Sequence, residues 1–190
     1  MNKLSRGDNL KIGIGLPAIQ RAKKPKEYAK IIDMFLSVCK QHDCYFIYQM
    51  SYDSQVETYA REKGEKIKKK FFREGVEDWF EFMRSLDFMI STRIHGDMAA
   101  VVNEVPSLLI ATDLRIAELL NAMKLPHLSI DDDVIKNSSV SLNDLMTSAV
   151  KDFQEFEENR RHRLVSYRKM LQAVGLDLDP SLSSIIRNEL

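Results

Sequence analysis

Only two cysteines occur in 190 residues, Cys39 and Cys44, and neither has a His or further Cys at the spacing of a structural zinc site. A disulfide framework is therefore not expected. Cys39 falls on an apolar helical face and Cys44 opens an apolar run, so both read as buried thiols suited to a reducing compartment. Charge of one sign is not in excess, since 28 Lys and Arg face 28 Asp and Glu. That balance argues against a chain condensed on nucleic acid or on an anionic membrane, and any anion site must be local. No window approaches the roughly eighteen apolar residues of a membrane span, and the opening MNKLSRGDN has no apolar signal core, so a cytoplasmic location is expected. Seven Gly and five Pro are too few for a collagen-like or low-complexity chain. What remains, 44% hydrophobic and 29% charged residues, is the composition of an ordinary folded core.

The apolar pattern alternates between two periods. Leu10 to Leu16 (LKIGIGL) is a short buried strand stopped by Pro17. From Pro25, the positions Tyr28, Ile31, Ile32, Phe35, Leu36 and Cys39 recur at three and four, a one-sided helix with Pro25 in its first turn. Cys44 to Met50 is a strand, and Gln55 to Lys63 a helix ended by Gly64. The basic run Arg61 to Arg73 reads as a solvated edge strand guarded by lysines, in preference to a nucleic-acid site. Glu77 to Leu86 predicts a helix with Trp79 turned to the core, and Asp87 to Thr92 a strand that runs into the small-residue helix Asp97 to Asn103. Ser107 to Ala111 and His127 to Ile130 are strands around a helix bearing Ile116, Leu119, Leu120 and Met123. A helical region over 141–175 has a charged middle, EENRRHR, expected to be exposed or kinked. The order predicts an α/β fold, doubly wound, with a mostly parallel Rossmann-like sheet, helices on both faces and a C-terminal helical extension. One domain over 1–190 is expected, with 1–9 and about the last ten residues as candidates for disorder.

In such a sheet the ligand crevice lies beyond the carboxyl ends of the strands. The junction richest in chemistry is Ser91-Thr92-Arg93-Ile94-His95-Gly96. Arg93 offers a planar fork for a carboxylate or phosphate, and His95 a group that exchanges protons near neutral pH. Gly96 removes a side chain where the next helix opens, so that an anion can approach its N–H groups. Arg115 follows the corner Thr112-Asp113 and adds a second cation at the next helix. Ser91 and Gln49 end strands on the cleft side and are further candidate ligand contacts. Asp97 and Asp113 read as a first-turn acid and a cap, not as a catalytic pair. His42, His127 and His162 lack metal-ligand spacing and read as structural, and no metal site is expected.

The pattern DFMISTRIHGDMAAVVNEVPS over Asp87 to Ser107, followed by TDLRIAELL and LP up to Ile130, closely resembles the C-terminal half of the polysaccharide pyruvyltransferase family. The resemblance implies a fold similar to GT-B glycosyltransferases, phosphoenolpyruvate as donor without a further cofactor, and a sugar of a cell-surface polysaccharide or its lipid-linked precursor as acceptor. Arg93 and His95 match the family's R-x-H-G motif, and Arg115 falls where members place a donor-contacting basic residue. By the resemblance Arg93, Arg115 and the helix start at Gly96 hold the donor, and His95 manages protons.

Family members of full length carry an N-terminal half that this chain is too short to hold. The sequence therefore looks like an isolated donor-side domain, whose missing half or partner chain would complete the site. Peripheral contact with the inner face of a membrane would come through a lipid-linked acceptor. The loop GLPAIQRAKK departs from the Arg-containing strand end of the family, and Arg21 is the candidate to replace it. Two other functions stay open from sequence: a GT-B glycosyltransferase domain using a nucleotide sugar, and a non-catalytic binding module derived from the transferase fold.

Overall fold

The computed structural model describes residues 9–16, 25–48, 54–71, 75–133, 135 and 142–176. Six strands form one sheet, β1 (Lys11–Gly15), β2 (Asp43–Tyr48), β3 (Lys68–Phe71), β4 (Phe88–Ser91), β5 (Ser107–Ala111) and β6 (His127–Ser129). Their spatial order is β3-β2-β1-β4-β5-β6 and every pairing is parallel. This is the doubly wound arrangement expected from the alternating periods. The helices are α1 (Pro25–Cys39), α2 (Ser54–Glu62), α3 (Val76–Arg84), α4 (Ile94–Val101), α5 (Leu114–Met123) and α6 (Leu142–Ala173).

Strand residues alternate between two apolar layers. Ile12, Ile14, Phe46, Phe88, Ile90, Leu108 and Ile110 meet Ile31, Ile32, Phe35 and Leu36 of α1 and Leu145, Met146 and Ala149 of α6. On the other face Ile47 and Met89 pack with Met83 of α3 and Ala99 and Ala100 of α4. Leu109 and Ala111 pack there with Leu120 of α5 and Phe156 of α6. Because both faces are covered, the strands are apolar without polar alternation. β1 lies between β2 and β4, and backbone bonds fasten its amino end to both. Asp43 N–H donates to the Leu10 carbonyl at 2.8 Å, and Asp87 N–H donates to the Lys11 carbonyl at 2.8 Å. The Lys11 N–H in turn donates to Asp87 Oδ2 at 3.0 Å.

The lysine-rich stretch forms β3, at the edge of the sheet as expected. Lys68 pairs with Asp43 and lies 5.3 Å over the Tyr45 ring, so its stem also covers part of β2. Trp79 is half-buried against the α3–α4 layer, as read from sequence. The charged middle of α6 is exposed at Glu158, His162 and Arg163, one of the two outcomes expected, and the helix continues without a kink from 142 to 173. Asn159 Nδ2 donates to the Met123 carbonyl at 3.0 Å and Arg163 donates to the Ala122 carbonyl at 2.6 Å. These side chains cap the last carbonyls of α5, which is why a polar stretch persists in a packed helix.

α2 ends as its Gly predicts: Gly64 adopts φ 75°, while Glu65 N–H donates to the Ala60 carbonyl at 2.9 Å. The same closure ends α4 and α5 on non-glycine residues, Glu104 at φ 59° and Lys124 at φ 61°. A side chain there works against the left-handed backbone. Glu104→Gly is expected to raise unfolding free energy by up to about 1 kcal/mol in urea titrations, with an unchanged slope.

Candidate functional site

The strand order reverses between β1 and β4, so their carboxyl ends form the topological switch point where open α/β sheets bind ligands. β1 ends at Gly15 and β4 at Ser91, and these two residues are register partners. A Cβ on Gly15 would lie 2.9 Å from Ser91 Cβ and would also overlap the Ser91 hydroxyl. A Cβ on Gly13 would lie 2.6 Å from Leu86 Cδ1 and 2.7 Å from Met89 Sδ. The two glycines therefore give the α3-to-β4 segment room to lie directly on β1. Sequence reading saw G-x-G only as punctuation of a strand. The informative signal is that positions two apart share one face, which is bare here.

Beyond that contact the chain makes a tight turn. Ser91 is fully buried, and its hydroxyl both donates to the Arg93 carbonyl and accepts the Arg93 N–H, each at 2.9 Å. Thr92 N–H donates to the Gly15 carbonyl at 3.2 Å, tying the turn to β1. Arg93 then serves as the N-cap residue of α4 in extended conformation, φ −120° and ψ 122°. Ser91 was expected to touch a ligand. The hydroxyl is instead engaged by the Arg93 backbone, so its place in this geometry is to hold the turn.

The residues singled out from sequence are distributed as follows. Arg93 is half-buried, His95 is exposed and Gly96 is buried, all within the cap and first turn of α4. Helix geometry aims the first N–H groups of α4 past this turn, toward the switch point. Arg115 belongs to the next junction, β5 to α5, one strand farther from the switch point. Its side chain is 87% exposed and Nε lies 4.0 Å from Asp113 Oδ1. Asp113 itself caps α5, accepting the Ile116 N–H at 2.9 Å, as its corner position predicted. Gln49 and Arg21 lie outside the described residues.

Two other histidines are engaged elsewhere: Leu10 N–H donates to His42 Nδ1 at 3.4 Å, and His127 Nδ1 donates to the Leu125 carbonyl at 2.8 Å, while His162 is exposed on α6. Among the described residues no group of His, Cys, Asp and Glu is arranged to hold a metal ion.

Asp97 was read as a first-turn acid on α4, and it does occupy that turn. Sequence did not reveal that it is fully buried, beneath the helix and near Ser107 at the start of β5. Neither Asp97 carboxylate oxygen nor the Ser107 hydroxyl has a hydrogen-bond partner among the described residues. Burial pushes the Asp97 carboxyl up to about 7, with the Ser107 hydroxyl acting in the opposite direction. A carboxyl with polar neighbours this sparse favours its neutral form.

A model of the polysaccharide pyruvyl transferase family matches residues 2–113, more than half of the chain. The matched stretch contains β1 and the whole turn from Ser91 to Gly96, and it stops two residues before Arg115. No curated protein matches the chain.

Two consequences are measurable. Gly15→Ala should displace Ser91 from Arg93 and cost about 1–3 kcal/mol in chemical denaturation. For Asp97 the folded value, about 7, exceeds the ordinary 3.8, so the folded state binds more protons between these values. Stability should fall as pH rises from about 4 to 7 and level off above, and Asp97→Asn should flatten the profile. At pH 8 the variant should gain as much as about 4 kcal/mol, and at pH 4 it should match the wild type. With more than half of its length matched by the family model, the chain belongs to the polysaccharide pyruvyl transferase family.

Proposed function

We propose that this chain is the donor-side part of a pyruvyltransferase that moves pyruvate, as a ketal, from phosphoenolpyruvate to a sugar of a cell-surface polysaccharide or its precursor. The observation that carries this reading is the position of Arg93-Ile94-His95-Gly96. The motif opens α4 at the β1/β4 switch point, with Arg93 at the N-cap and His95 and Gly96 in the first turn. A donor bearing both a phosphate and a carboxylate suits a cation beside a helix start. Arg115, exposed at the neighbouring helix start, supplies a second guanidinium to the same end of the sheet.

The chemistry assigned to these residues is as follows. A proton is delivered to the donor's methylene carbon, and a sugar hydroxyl attacks the adjacent carbon. The bond to the phosphate oxygen breaks as phosphate leaves. A second hydroxyl of the same sugar then closes the cyclic ketal in its place. His95 gives the first proton and receives one from the first attacking hydroxyl, which returns it to its starting state, and the proton of the second hydroxyl leaves with the phosphate. Arg93 and the first turn of α4 stabilise the phosphate as charge gathers on it, with Arg115 assisting from the side. The acceptor sugar is held by a further half of the protein or by a partner chain. A lipid-linked acceptor would bring the assembly to the cytoplasmic face of a membrane, while no helix among the described residues is long and apolar enough to cross one.

The test has two parts. Calorimetric titration should show phosphoenolpyruvate binding to the chain, and Arg93→Ala should weaken it at least tenfold. Binding of a nucleoside diphosphate in its place would identify a nucleotide-sugar glycosyltransferase. In an assembly that forms pyruvate ketal on a saccharide, His95→Ala should lower turnover about 100-fold or more with unchanged thermal stability. Undiminished turnover would remove His95 from the mechanism, and binding of no small anion would favour a non-catalytic module.

A further inference from the structure

At the opposite end of the sheet, the amino ends of the strands border a cavity of about 310 Å³ that does not belong to the Arg93 junction. Asn9, His42 and Asp43 line it together with Lys66 and Lys68, and so do both cysteines of the chain. Cys39 is the last residue of α1 and half-buried, whereas Cys44 is the second residue of β2 and buried. The chain between them turns tightly, with the Gln41 and His42 N–H groups donating to the Val38 carbonyl at 3.1 and 3.2 Å. Cys39 packs against the apolar layer that contains Cys44. The turn thus brings both thiols to one cavity and leaves Cys39 the more exposed of the two.

We propose that Cys39 and Cys44 form a redox-responsive dithiol, in which Cys39 attacks a small anionic disulfide of the glutathione class and Cys44 resolves it. In the first step the Cys39 thiolate bonds to one sulfur of the disulfide, the S–S bond breaks, and one thiolate leaves with the proton that Cys39 gave up. In the second, Cys44 attacks the Cys39 sulfur of the mixed disulfide, and the other small thiolate departs with the Cys44 proton. Two protein thiols are oxidised to one intramolecular disulfide, and the small disulfide is reduced to two thiols.

The division of labour follows from exposure, since an oxidant in the cavity meets Cys39 before the buried Cys44. Lys66 at the same opening matches a carboxylate of such an oxidant, whereas Lys68 there is paired with Asp43. In the reduced pair the Cys39 thiol beside it, and then burial, push the Cys44 thiol far above its usual range. Once Cys39 is bonded to the oxidant, it no longer carries a proton or a negative charge. The first of those causes is then gone, which eases ionisation of Cys44 for its attack, while its burial remains.

The test uses the full chain with glutathione disulfide, followed by intact mass and by alkylation of remaining thiols. Wild-type protein should lose two hydrogens and both alkylation sites, and a thiol reductant should restore them. Cys44→Ser should stop at a single glutathione adduct on Cys39, and Cys39→Ser should react at least tenfold more slowly than wild type. The proposal is overturned if the wild type gains adducts without closing a bridge. It is equally overturned if Cys39→Ser reacts as fast as the wild type. Because mass is read on the unmodified chain first, the result does not depend on either variant folding. Neither outcome bears on donor binding at Arg93, which lies at the other end of the strands.

Discussion

The structure depends on how closely β4 approaches β1 at the centre of the sheet. Two positions on one face of β1, Gly13 and Gly15, have no side chain, and the space is taken by Leu86, Met89 and Ser91. With that face bare, the segment leaving α3 lies flat on β1. Ser91 is sealed from water and its hydroxyl can turn only toward the Arg93 backbone. Arg93 therefore begins α4 in one defined direction. The site is set by packing beneath it before any ligand contributes.

The same close packing explains a local weakness. α4 is built from small residues, and Ala99 and Ala100 bring it against α3 and β4. Sealing the helix that tightly carries Asp97 into the interior, where Ser107 is its polar neighbour. The favourable influence of a helix start on an acid is not enough to offset desolvation at this depth. The first turn of α4 thus joins an exposed histidine to a buried acid with a raised proton affinity two residues later. The contrast shows how one turn of helix can face solvent chemistry on one side and an apolar layer on the other.

The two ends of the sheet carry separate chemistry for a topological reason. Parallel strands send every β-to-α junction to one end and every α-to-β junction to the other. Arginine and histidine lie at the first, where helix starts favour anions. The thiols lie at the second, where α1 ends and β2 begins. The strands between the two ends are almost wholly apolar, so an event at one end reaches the other only through the packed core.

Much of the fold was legible in the chain because buried parallel strands and one-sided helices leave different periods in the sequence. Ile31, Ile32, Phe35 and Leu36 announce α1, the run SLLIA announces β5, and the lysines of β3 announce an edge. The R-x-H-G segment and the capping role of Asp113 were legible for the same reason, since each depends on residues near in sequence. What only the tertiary structure decided involves partners far apart in the chain. Ser91 is committed to the backbone because Gly15, 76 positions earlier, has no side chain, and the charged middle of α6 stays helical because α5 presents carbonyls to it. Asp97 holds its proton toward neutral pH because α4, with Ala99 and Ala100, packs closely enough to bury it. Periodicity records which face of an element is buried, whereas the distance and chemistry of what covers that face exist only once the chain has folded.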